Sequence, residues 1–369
     1  MDPAGYGTRL RAFQRGVSTG VSGRAAGARG VMGQTDEMID HWQMFSEFCR
    51  YETAVGGPSP HAKMVGEMIR GLPVQEQVWR IGCYGGVYNT GGALALWTNL
   101  DRTDVITMGE EELRAWLEDH WKGLPFRRER RAVRTPVKLA KYLRSYAMVS
   151  RDWPDRDWWV GAATVPHYEA GWKDVQKVYG VGRYIAIRML EMFSWLGSGT
   201  VAYDMRSDDA WSPRRTLALL LPSLSRVLNE DTTRAGNAAA ETIARTTLDR
   251  LAAEFDVNLT IYELQVMLCE YRQSIISKRQ YPGRSIDSEV RYLIEAEAYW
   301  GESIAEPGWQ VRKTLFPDVS LGEVHGWDKP REELGAVAAD YGYTWSDLIY
   351  DFPASHDLSK PVRRAEVLA

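Results

Sequence analysis

An aspartate and an arginine two residues on, Asp204-Met205-Arg206, follow the short run Thr200-Val201-Ala202-Tyr203. In a cleft, such a carboxylate acts as a general base or electrostatic stabiliser, and the guanidinium holds an anion nearby. On a surface, the same pair is a helix N-cap with its solvent-facing partner. The upstream segment favours chemistry. Tyr179-Gly180-Val181-Gly182 leads into the helical run 183–190, and Gly182 stands 22 residues before Asp204. Glycine adopts the positive φ of a tight turn and lets backbone N–H groups approach a phosphate closely. Gly180, Val181 and Gly182 are therefore expected to bring the backbone close to a phosphate.

Other constellations offer binding. Tyr84 and Tyr88 lie at i and i+4, followed by Asn89, in a stretch with five glycines (Gly82, Gly85, Gly86, Gly91, Gly92). Glycines inside a helix cost roughly 1 kcal/mol each relative to alanine, so they need a reason. Close helix packing is the favoured reason; room for a bulky ligand is the other. At least one tyrosine is expected to line a pocket. Residues 125–151 carry nine Lys or Arg against Glu129 alone. A one-signed run needs a counter-charge, either DNA phosphate at Arg130, Arg131 and Arg134 or the acidic stretch 110–119. Arg214, after Ser212-Pro213, and Arg284, in the basic turn 278–284, are further candidates for a phosphate.

These residues need helices to place them. Apolar residues recur at three- and four-residue spacing from position 37 to Tyr51. Later helices are expected from 61 to the Gly71-Leu72-Pro73 break, from 75 to about 97, and from Met108-Gly109-Glu110 to 120. More follow at 137–149, 172–178, 183–195, 215–228, 238–255, 261–277 and 287–299. No alternating strand series is evident. The pattern predicts an all-α body of roughly ten helices over 37–300. It is flanked by a flexible basic arm, 1–36, and an irregular C-terminal appendage, 301–369, with a short helix near 331–341.

Composition narrows the function. A net charge of −4 over 369 residues gives no global affinity for nucleic acid, so any basic surface is local. Cys49, Cys83 and Cys269 lie far apart, which excludes a four-cysteine iron–sulfur or zinc site built from this chain alone. The histidines lack metal-ligand spacing, and no P-loop motif occurs. No metal and no cofactor is expected. No apolar run reaches eighteen residues and no signal-peptide core opens the chain, so a cytoplasmic protein without a membrane partner is expected.

The order of hairpin, helix and aspartate resembles the helix-hairpin-helix DNA glycosylases such as endonuclease III, in which an aspartate acts on a base flipped from the duplex. The matching position for the lysine of their bifunctional members is Tyr184, which disfavours a Schiff-base lyase. Within that group the chain resembles the amino acid:DNA transferases, or α-glutamyl/putrescinyl thymine pyrophosphorylases, of phages with hypermodified thymine. Four features carry this: Trp79…Gly82-x-Tyr84…Tyr88-Asn89…Trp97; Arg130-Arg131-x-x-Arg134; Asp204-Met205-Arg206 with Ser212-Pro213-Arg214; and Leu268-Cys269-x-Tyr271…Tyr281-Pro282-Gly283.

The resemblance implies a helix-hairpin-helix glycosylase-like fold and a phage enzyme working in the host cytoplasm. Its substrate would be double-stranded DNA carrying phosphorylated 5-hydroxymethyluracil. The phosphate or pyrophosphate would be replaced by the amine of an amino acid, such as glycine, or of a polyamine. Asp204 would then deprotonate the amine, and Arg206 with Arg214 or Arg284 would neutralise the leaving group. Tyr84, Tyr88 and Asn89 would hold the uracil. A monofunctional glycosylase and a non-catalytic DNA-binding module are the alternatives.

Overall fold

The computed structural model describes residues 41–54, 56–162, 164–196, 211–230, 233–276 and 284–316. These residues form helices and no strand, so the fold is all-α. In chain order the helices are α1 (His41–Ala54), α2 (Pro60–Ile69), α3 (Val74–Val87), α4 (Thr90–Asn99), α5 (Arg102–His120), α6 (Pro136–Val149), α7 (Asp157–Val160) and α8 (Val165–Val175). They continue with α9 (Arg183–Trp195), α10 (Trp211–Leu220), α11 (Ser225–Glu230), α12 (Arg234–Phe255), α13 (Ile261–Ile276), α14 (Arg284–Trp300) and α15 (Glu302–Leu315).

The helix boundaries follow local chemistry. Asp101 and Asp104 form a reciprocal capping box at the start of α5. Thr135 caps α6 and Thr164 caps α8, each with proline in the first turn, where a missing N–H costs nothing. Gly109, at φ 80°, kinks α5 where the sequence reading starts a helix.

The expected helix from 75 to 97 is two helices. Tyr88 turns left-handed (φ 61°) and ends α3; the Asn89 side chain then accepts from the Gly92 N–H at 2.7 Å and starts α4. The glycines serve close packing, as favoured above. A Cβ on Gly82 would run into the Tyr146 ring, and one on Gly85 would stand 2.6 Å from the Tyr142 hydroxyl. One on Gly91 would overlap the Tyr292 carbonyl. The hydroxyls of Tyr142 and Tyr146 donate to the carbonyls of Gly82 and Val78 at 2.8 and 2.6 Å, so α6 lies directly on α3.

α3 is the hub, packed against α2, α4, α6 and α9. Beyond residue 300 the chain does not begin irregularly. α15 is a helix with Pro307 inside it, seated on α2, α4 and α14, and Ala305 and Arg312 are buried. The helix expected near 331–341, like the arm 1–36, lies outside the described residues.

Candidate active site

α8 and α9 are joined by a tight turn. Gly180 takes φ 72°, the Val181 N–H donates to the Val178 carbonyl, and Gly182 precedes α9 with no side-chain cap. Val181 is buried as the anchor, whereas Gly182 is exposed with open space where a Cβ would stand. The exposed Gly182 leaves the N-terminus of α9 open to the approach of a phosphate.

Arg130, expected at the DNA backbone, faces the protein interior. It is 1 % exposed, donates to the carbonyls of Gly86 (3.3 Å) and Gly180 (3.1 Å), and lies over the Tyr142 ring. It braces the turn from inside. Arg134 is exposed, as are Lys138, Lys141 and Arg151; Arg131 shares a 3-10 segment with Arg130. Lys141 also pairs with Glu110 at 3.8 Å, so the acidic stretch takes part of the positive run.

One turn into α9 begins a buried polar cluster that the sequence reading found only in part. Tyr84 and Tyr88 meet with ring centroids 5.3 Å apart, and His61 of α2 packs on both. The Tyr88 and Tyr184 hydroxyls share a 2.9 Å hydrogen bond, and Arg188 lies over the Tyr184 ring. Arg188 donates to Glu191 at 2.6 Å and to Gln265 at 3.2 Å. On the other side, Arg127 lies 3.3 Å from His61 Nε2 and 3.3 Å from Glu289 Oε1. The Arg127 loop is pinned by its own N–H to the Val87 carbonyl and by the Asn89 amide to the Pro125 carbonyl.

Two cations and two carboxylates thus sit together, formally neutral in sum. Among the described residues, His61 Nδ1, Tyr84 Oη, Arg188 Nε and Glu191 Oε1 are buried without a hydrogen-bond partner. Native interiors leave few such groups unpaired, and each calls for strain, a functional role, or a water or ligand to account for it. Burial, with Arg127 and Arg188 alongside, holds the His61 imidazole well below its usual range and therefore neutral. Burial pushes the Tyr84 and Tyr88 phenols up, so both stay protonated. Burial disfavours the Arg188 charge, but Glu191 and the tyrosines overcome this and keep it a cation. Burial raises the Glu191 carboxyl against the pull of Arg188. Burial also pushes the three free thiols up, which makes them poor nucleophiles.

Two of the expected ligand contacts are engaged in holding helices together. Both amide hydrogens of the buried Asn89 go to the carbonyls of Val87 and Pro125, and its Oδ1 accepts from the Gly92 N–H, so the side chain is engaged in holding the fold. Arg214 is 2 % exposed and staples α10 to α11 and α12 through the carbonyls of Val227 and Leu228 and the Asn237 amide. Arg284 opens α14, while Asp204 and Arg206 lie outside the described residues. The sequence reading missed His61, Arg127, Arg188, Glu191 and Glu289. The signal available was Arg188 and Glu191, three apart inside an otherwise apolar helix.

Among the described residues, no helix is long and apolar enough to cross a membrane. A search of curated proteins finds no match. The family model of the amino acid:DNA transferases matches residues 74–281, more than half of the chain, from α3 through α13. The turn at Gly180 and most of the buried cluster fall inside it. The protein accordingly belongs to the amino acid:DNA transferase family, transferases that act on DNA with an amino acid as partner.

Proposed function

We propose that the protein replaces the phosphate, or pyrophosphate, of phosphorylated 5-hydroxymethyluracil in duplex DNA with the amine of an amino acid or polyamine. The observation that supports this most is the group of tyrosines formed by the buried Tyr84 and Tyr88 and the half-buried Tyr184, with Tyr184 two residues past the exposed Gly182 of the turn. Such a site accepts a base taken out of the stack while excluding water.

In the reaction, the amine nitrogen attacks the exocyclic methylene carbon. The carbon–oxygen bond breaks, and the phosphate leaves with the electron pair. Asp204 takes the proton from the incoming ammonium, and Arg206, with Arg284 as a further phosphate ligand, neutralises the leaving group. Tyr84 and Tyr88 stack on or hydrogen-bond the flipped uracil. Gly180, Val181, Gly182, Arg131 and Arg134 hold the DNA backbone.

The test is nucleoside mass analysis of phosphorylated 5-hydroxymethyluracil DNA after incubation with enzyme and amine. The expected products are an aminomethyl-linked adduct and released phosphate, with every glycosidic bond whole. Asp204→Asn should abolish the adduct and leave DNA affinity nearly unchanged. Alkali-labile breaks without adduct would refute the transferase chemistry in favour of a glycosylase. An adduct formed at full rate by Asp204→Asn would remove that residue as the base.

A further inference from the structure

We propose that Glu191 and Arg188, with Tyr84 and His61, form the binding subsite for a free α-amino acid held as its zwitterion. The inference deepens the proposed reaction and rests on it in one respect: the bound amino acid is the nucleophile.

Both charges are buried to 1 % exposure or less, in a helix whose neighbouring residues are apolar. Burying an ion pair carries a desolvation cost of several kcal/mol per ion, recovered only when remaining valences are satisfied. Here they are not. Glu191 Oε2 takes Arg188 Nη1 at 2.6 Å, while Glu191 Oε1 and Arg188 Nε have no hydrogen-bond partner. His61 Nε2 faces the Arg127 guanidinium, which has only donors, so Nε2 must accept and the imidazole proton sits on Nδ1. Nδ1 is unpartnered, as is the Tyr84 hydroxyl.

The unfilled set is therefore one anionic acceptor and three donors. An α-ammonium matches the acceptor, and an α-carboxylate matches the donors through charge-assisted hydrogen bonds. The overall charge agrees: Arg188 is paired with Glu191 and Arg127 with Glu289, so the cluster is neutral and suits a neutral zwitterion. A diamine brings two cations and leaves the three donors unanswered. The phosphate of a modified base needs cations not already neutralised.

Isothermal titration of the wild-type protein without DNA tests the subsite, with glycine, methylamine, acetate and putrescine as probes. Glycine should bind. Methylamine and putrescine, which lack the carboxylate, and acetate, which lacks the ammonium, should each bind at least ~10-fold more weakly, since each leaves buried hydrogen-bond valences unfilled. Glu191→Gln, nearly isosteric, should weaken glycine by a similar factor with the unfolding midpoint retained. If that variant fails to fold, the probe series on the wild type decides alone. No binding at millimolar glycine, putrescine or acetate binding as well as glycine, or unchanged glycine affinity in folded Glu191→Gln overturns the subsite. A wild type that binds glycine yet forms no adduct refutes the proposed reaction and leaves the subsite standing. An adduct whose glycine KM is untouched by Glu191→Gln does the reverse.

Discussion

Replacing Asn89 by alanine separates a structural role from a substrate contact. The side chain caps α4 through the Gly92 N–H at 2.7 Å and donates to the carbonyls of Pro125 at 2.8 Å and Val87 at 3.2 Å. Losing the cap costs about 1 kcal/mol. The Val87 carbonyl keeps the Arg127 N–H, but the buried Pro125 carbonyl loses the Asn89 donor, a cost of about 1–3 kcal/mol. The sum is a loss of about 2–4 kcal/mol. Asn89→Ser retains an acceptor for the cap and should recover about 1 kcal/mol of it. Urea unfolding followed by circular dichroism, with the slope checked for constancy, reads both. Adduct formation should survive in Asn89→Ala well below its midpoint. A stability change under about 0.5 kcal/mol, the level of an ordinary surface substitution, together with loss of adduct, would refute the capping role and return Asn89 to the substrate.

The turn makes two opposite predictions. Gly180→Ala forces φ 72° on a side chain and sets its Cβ 2.6 Å from Val133, so stability should fall by ~1–3 kcal/mol in thermal unfolding. Gly182→Ala meets nothing within 4 Å and should leave stability nearly unchanged while weakening DNA binding at the α9 N-terminus. In a salt titration, Arg134→Gln should flatten the slope of log affinity against log salt by up to ~0.9, whereas Arg130→Gln should lower the unfolding midpoint. His61 adds a pH signature. Its imidazole stays neutral in the folded chain, while the unfolded chain takes up a proton near 6.5. Stability should therefore fall below that pH by up to ~1.4 kcal/mol per unit, a component absent from His61→Gln; equal slopes for both would sink the assignment.

Local chemistry made much of the fold legible. Three- and four-residue apolar spacing marked most helices, and the Gly180-Val181-Gly182 turn stood out because a positive φ and a close backbone approach leave few residue choices. The reading failed where local propensity was neutral and distant partners decided. Nothing in residues 75–97 marks Tyr88 as the left-handed break, because glycine is the usual choice there; the break depends on Asn89 capping α4 and on the Pro125 loop, 36 residues away. The spacing of Arg130 and Arg134 is that of a solvent-facing run. Only the packing of α6 on α3 turns Arg130 inward to Gly180. The cluster around Glu191 could not be read at all as a unit, since it joins His61, Tyr84, Arg127, Arg188 and Glu289 from separate elements. Sequence determined which segments become helices and where a tight glycine turn joins two of them. Tertiary structure decided which charges are buried against each other and which valences stay open, because burial and pairing depend on residues far apart in the chain.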